Sequence, residues 1–160
     1  MLLAAGLLAA VAAKPSPSPA PPTVPVTVAN FARAETDTYF AGEVKRGAFG
    51  KLVHRRELVP VDQQPVVRPN RDTLYSSGVF DLDAGRVMLT LPDPGDRFMS
   101  LQLIDEDHYV PLVAYGGGEY ALIRENVGTR YVMAAIRIFV NPLDPGDVEK
   151  VHALQDRITV

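Results

Sequence analysis

The sequence predicts a mainly β domain, a sandwich or barrel with one helix before it and one after it. Three observations predict it. Short runs of β-type pattern recur from residue 73 to residue 140, each bounded by Gly, Pro or Asp clusters. A helical stretch ending at a glycine precedes them. An Asp-Pro start followed by an apolar stripe at helical spacing comes after them.

The first helix is expected within "VTVANFARAETDTYFAGEVKRG", with Thr27 or Asn30 as N-cap and Gly47 past its end. Phe31, Ala34, Thr38 and Ala41 form one weak stripe. Tyr39, Phe40 and Val44 form a second, so the helix should pack on more than one neighbour. "GAFGKLVHRRELVPVDQQP" has no steady period and reads as loop with short extended pieces. Strands follow at Thr73–Leu82, Arg86–Leu91, Arg97–Ile104, Tyr109–Tyr115, Glu119–Glu125 and Arg130–Val140. Met99, Leu101 and Leu103 should share one face, against Ser100 and Gln102. Pro111 confines its strand to an edge or a bulge, and Gly116-Gly117-Gly118 reads as a hairpin turn. Asp144 should cap the last helix with Pro145 at its first position. Its stripe is Val148, Val151, Leu154 and Ile158, with His152 brushing the core edge.

Residues 1–13 and 14–25 have a different character. Leu2–Ala13 is an unbroken apolar run ending in small residues. It is too short to span a bilayer comfortably, which takes about 20 residues, and it lacks a basic leading region. It reads as a signal peptide, with an uncleaved anchor or a misassigned start as alternatives. Lys14–Pro25 holds six of the fourteen prolines and reads as an extended linker. The folded domain is then 26–160, and the protein is expected to be periplasmic or secreted. The chain stops at Val160, inside or just after the last helix, and the expectation is that a further segment once followed.

Composition removes several functions. The chain has no cysteine, so it has no disulfide framework, thiolate metal site or Cys nucleophile. A net charge of −3 is too mild to argue for nucleic acid or for an anionic membrane surface, and no nucleic-acid partner is expected. The charge is uneven: residues 26–71 carry a net +3 and residues 72–126 a net −7. Attraction between the two halves within the fold is the plain consequence, and a cation-binding acidic face the sharper one. None of the serines outside the linker (Ser76, Ser77, Ser100) lies in a G-x-S-x-G elbow. No local signal joins His54 to Ser76.

Two patterns carry chemistry. "DEDH", Asp105 to His108, interrupts an apolar run. As a turn it needs no ligand, because Asp carboxylates accept from nearby backbone N–H groups. As a site, Asp105 and Asp107 point to one side of an extended chain. They would serve as catalytic acid/base groups or, with His108, as ligands for a divalent cation. The spacing matches no standard metal loop. In "PNRDTLYSS", Arg71, Asp72 and Tyr75 are candidate binding residues. Arg71 would fork onto a carboxylate of the chain or of a ligand.

Together "VANFARAETDTYFAG", "RPNRDTLYSSGVFDLDAG" and "EDHYVPLVAYGGGEYAL" resemble a mainly bacterial family known as domain-of-unknown-function family 1254, over roughly residues 26–158. The resemblance implies a β-sandwich of jelly-roll type. In longer members a second sandwich domain follows; the expectation is that this chain, without that half, is either a short stand-alone member or a piece of a longer protein. No catalytic residues are carried over. The function expected is a binding or assembly module. Its partner would be a second copy or a second sandwich domain, and the membrane would be reached only through an uncleaved N-terminal segment. The alternative is a hydrolytic, metal-assisted enzyme joining the acidic loop 105–108 to Arg71.

Overall fold

The computed structural model describes residues 23–63 and 67–160. The expected signal peptide, 1–13, and most of the expected linker lie outside the described residues. Three helices and seven strands follow in the order α1 (Phe31–Lys45), β1 (Val53–His54), β2 (Thr73–Asp81), β3 (Val87–Leu91), β4 (Met99–Asp105), β5 (Leu112–Tyr115), β6 (Gly118–Leu122), α2 (Arg124–Val127), β7 (Tyr131–Phe139) and α3 (Pro145–Gln155), counted among the described residues. No helix among them is long and apolar enough to cross a membrane.

The strands form two antiparallel sheets. The larger has the order β1-β2-β7-β4-β5 and the smaller is β3-β6. β7 is central: Thr73 to Asp81 pair with Phe139 to Tyr131 on one side, and Met99 to Asp105 pair with Ile138 to Val132 on the other. The strict alternation of β7 comes from this position. Val132, Ala134, Ile136 and Ile138 are fully buried, and the residues between them are partly exposed. The buried side meets Leu89, Leu91 and Leu122 of the small sheet and Val151, Leu154 and Ile158 around α3. We call this the inner face. Met99, Leu101 and Leu103 lie on it, as their alternation predicts.

Two glycines are fixed by close approach. A Cβ on Gly78 would lie 2.5 Å from the Lys51 carbonyl oxygen, so only glycine lets the 49–54 segment run against β2. A Cβ on Gly117 would lie 2.7 Å from the Pro92 carbonyl oxygen. That segment is not a hairpin turn, as the glycine run suggested. β5 pairs with β4 in the large sheet and β6 with β3 in the small one, so residues 116–118 carry the chain from one sheet to the other.

The ends of the helices follow local chemistry. The Asp144 carboxylate accepts from Gly146 N at 2.9 Å, with Pro145 in the first turn. Beyond it, Asp147 is buried and receives Arg97 and the Asn141 N–H, which holds its carboxyl well below the usual carboxylate range. In α1, Asn30 takes the N-cap position, but its side chain turns back to accept from Thr27 N at 2.6 Å. Gly47, at φ 86°, leaves the helix.

Among the described residues, α1 is the helix that lies on the outer face of the large sheet. Its buried residues are Thr36, Phe40 and Glu43, so neither apolar stripe is the packed one. Phe31, Tyr39 and Val44 stay exposed. A stripe containing a hydroxyl and a carboxylate must be seated by polar partners, and those partners define the candidate site.

Candidate functional site

At the N-terminal half of α1, the acidic loop supplies the partners. Arg33 donates to Glu106 at 2.6 Å and to Asp107 at 2.8 Å. The Glu106 side chain is nearly buried, and its second oxygen accepts from Tyr131 N at 2.9 Å. The Asp105 carboxylate accepts from the N–H groups of Asp107 and Tyr109 at 2.9 and 2.8 Å, closing the turn. His108 adopts a left-handed conformation, φ 67°, and its Nδ1 lies 2.7 Å from Thr36 Oγ1. The loop is thus both a turn and an anchor. Its candidate metal ligands are engaged within the chain, and no group of three His, Asp or Glu among the described residues is placed to hold a metal ion.

The candidate binding residues lie elsewhere. Asp105 pairs with Val132 and Thr73 with Phe139, at opposite ends of β7. The seven steps from Val132 to Phe139 span about 23 Å at the strand rise per residue. Arg71 and Asp72, both exposed, stand just before Thr73. The sheet thus sets the acidic loop and the strand end that Arg71 precedes at opposite ends of β7, well beyond the hydrogen-bond reach that groups acting on one atom need.

Glu43 anchors the other half of α1. Its carboxylate accepts from Ser77 at 2.8 Å, Arg46 at 2.9 Å and Arg55 at 2.5 Å. These contacts make α1 a ridge with a recess on each side. One recess, about 300 Å³, is apolar, lined by Phe40, Val44, Phe49, Val79 and Tyr131. The other is a cleft of about 670 Å³ between α1, the 55–59 segment and the start of β2. Tyr39, Gly42, Glu43 and Arg46 come from the helix, and Arg55, Leu58 and Val59 from the loop. Pro69, Asn70, Thr73, Leu74 and Tyr75 come from the motif that the sequence singled out. Of the three predicted binding residues, Tyr75 lines this cleft.

Thr73 is the informative wall residue. It is 5% exposed, and its Oγ1 is buried with no hydrogen-bond partner. Leaving such a hydroxyl unpaired costs about 1–3 kcal/mol. Nothing in the sequence distinguishes Thr73 from any other strand threonine. The shape of the cleft finds it.

On the inner side of β2, His54 and Ser76 do meet, contrary to the absence of any local signal. His54 Nδ1 lies 2.8 Å from Ser76 Oγ, which also accepts from Gln155 Nε2 at 3.2 Å. His54 Nδ1 and the Ser76 hydroxyl share one hydrogen bond, whose donor is set by the imidazole tautomer. Ser76 is wholly buried, which closes it to substrate. Burial, and then the charge of Arg56, push the His54 imidazole below its ordinary value of 6.5. A folded state that binds the proton less well than the unfolded state loses stability as pH falls through that value. The melting midpoint should therefore drop as pH falls from about 7 towards 5, and His54→Gln should lose that component. Identical profiles for the two chains would contradict this assignment.

A family described as "Protein of unknown function (DUF1254)" matches residues 49–160. α1 precedes the matched residues. The fold is similar to the crystal structure of the VPA0106 protein from Vibrio parahaemolyticus, with a TM-score of 0.55 and 18% identity. The similarity covers 80% of this chain and 34% of that one. At this identity the likeness concerns the fold alone. This chain therefore spans about a third of that protein's length. No curated protein matches the chain.

Proposed function

This chain belongs to the DUF1254 family, and on that premise we propose that it is an exported binding module, a sandwich of jelly-roll type, whose cleft beside α1 takes a small ligand. One observation carries the reading: the Thr73 hydroxyl is buried, unpartnered and in the cleft wall. The cleft lining is mixed: Tyr39, Leu58, Val59 and Tyr75 give it apolar surface, and Asn70, Thr73, Arg46, Arg55, Glu35, Glu43 and Glu57 give it polar and charged groups. Export is the reading of the apolar run and proline-rich stretch that precede the domain.

Gly42 gives a clean test, because it lies in the cleft wall and a Cβ there meets nothing closer than 3.6 Å. Gly42→Leu fills the cleft while improving helix propensity by about 0.5–1 kcal/mol. In a thermal-shift screen of small aromatic and aliphatic acids, amides and alcohols, the full chain should show midpoint increases. Gly42→Leu should keep or raise its own midpoint and lose those responses. Equal responses in both chains would rule the cleft out as the binding site.

Assembly is the second part of the reading, favoured by the free edge of β5. Val113 and Tyr115 are exposed there, and Phe98 and Phe139 extend the patch over the outer face. An open sheet edge beside exposed aromatics suits pairing with a second copy or a second sandwich domain. Light scattering on the full chain should show a dimer that Tyr115→Glu converts to monomer. A monomer at every concentration would remove self-assembly.

A further inference from the structure

We propose that β5 is a self-pairing edge: two copies of this chain join antiparallel across Ala114, so that their large sheets become one. The inference rests on the assembly reading above, and it fixes the partner and the register.

The backbone groups of β5 carry the argument. Gly116 N donates to Met99 O at 2.9 Å, and Ser100 stands opposite Tyr115. Antiparallel ladders alternate, so Leu112 and Ala114 turn their N–H and C=O towards β4, and Val113 and Tyr115 turn theirs away. β5 ends the sheet, and no strand among the described residues meets those outward groups. Pro111 has the same phase as Val113 and no N–H to offer.

This pattern selects one register. A two-fold axis at Ala114 sets Val113 opposite Tyr115 of the second copy, and Tyr115 opposite Val113. Every outward N–H and C=O of the two residues then finds a partner. An axis at Val113 would set Tyr115 against Pro111, whose missing N–H leaves the Tyr115 carbonyl unmet. An axis at Tyr115 would need Gly117, where the chain is already crossing to the small sheet.

The side chains agree. Val113 and Tyr115 are 49% and 71% exposed on the outer face. An aromatic facing a β-branched residue is a favourable cross-strand pair. The Phe98 ring lies 6.0 Å from the Tyr115 ring, so it extends the apolar surface on both sides of the axis. A symmetric contact brings a residue at the axis against its own copy, where a charge would repel itself. Residues 109–118 contain no charge. Other edges are protected. β1 is two residues long and is followed by Arg55 and Arg56. Thr159 closes the free side of β3 through two bonds with Thr90, at 3.0 and 3.1 Å, and β6 contains Glu119.

The chain has no cysteine, so one introduced cysteine reports on one position. Light scattering and mild oxidation of the full chain and its variants test the register. Ala114→Cys should give a covalent dimer, because the two positions face each other at about 4.5 Å between Cα atoms. Val113→Cys should not, because its two copies are diagonal neighbours about 7–8 Å apart. Val113→Pro removes an N–H that β4 does not use. It should keep a cooperative melt and weaken the dimer at least about tenfold, the scale of two lost hydrogen bonds. That variant covers the case in which Ala114→Cys fails to fold. A folded Ala114→Cys dimer that does not cross-link, equal cross-linking of Val113→Cys, or a Val113→Pro dimer as tight as the parent would each overturn the β5 register and leave assembly in place. A parent chain that is monomeric at every concentration would overturn both.

Discussion

The arrangement depends on two carboxylates buried beneath one helix. Glu106 reaches up from the end of β4, and Glu43 reaches down from α1. A buried carboxylate is costly unless every lone pair finds a donor. Glu106 takes Arg33 and the Tyr131 N–H. Glu43 takes Ser77, Arg46 and Arg55. The donors come from the helix, the loop after it, β2 and β7, so one placement of α1 satisfies them all. An apolar stripe would tolerate sliding along the sheet. Directional bonds at both ends of the helix do not, and the cleft keeps its shape because the ridge beside it cannot shift.

The same pairing explains the uneven charge of the sequence. The basic segment around residues 33–56 meets acids from the other half, as with Arg33 on Glu106 and Asp107. It also meets its own buried Glu43 through Arg55. Among the described residues Arg137 is the half-buried arginine left outside this scheme, and its guanidinium lies over the Tyr75 ring instead.

Much of the sheet was legible in the sequence because period-two alternation and Gly/Pro/Asp turns are local signals. β4 and β7 show it, each placed within two residues at either end. The Asp144 cap and Pro145 were legible for the same reason. Sequence reasoning failed where a contact is long-range. The packed stripe of α1 contains Thr36 and Glu43, which read as solvent-facing until His108 and Ser77 are brought under them. The glycine run at 116–118 gives the signal of a turn whether the strands it joins share a sheet or not. His54 and Ser76 are joined by the register of a two-residue strand too short to show a pattern. Of the candidate site, Tyr75 was found through its motif. Thr73 was not, since being unpartnered is a property of the fold and not of a residue type.

Native-state hydrogen exchange on Glu43→Gln tests the central claim most directly, because the change keeps the shape and removes the buried charge. If the carboxylate seats the helix, the amides of Phe40 to Val44 should lose protection while those of β2, β4 and β7 keep theirs. Protection of α1 that is unchanged, or that falls only in step with the whole sheet, would show that the helix is held by other means.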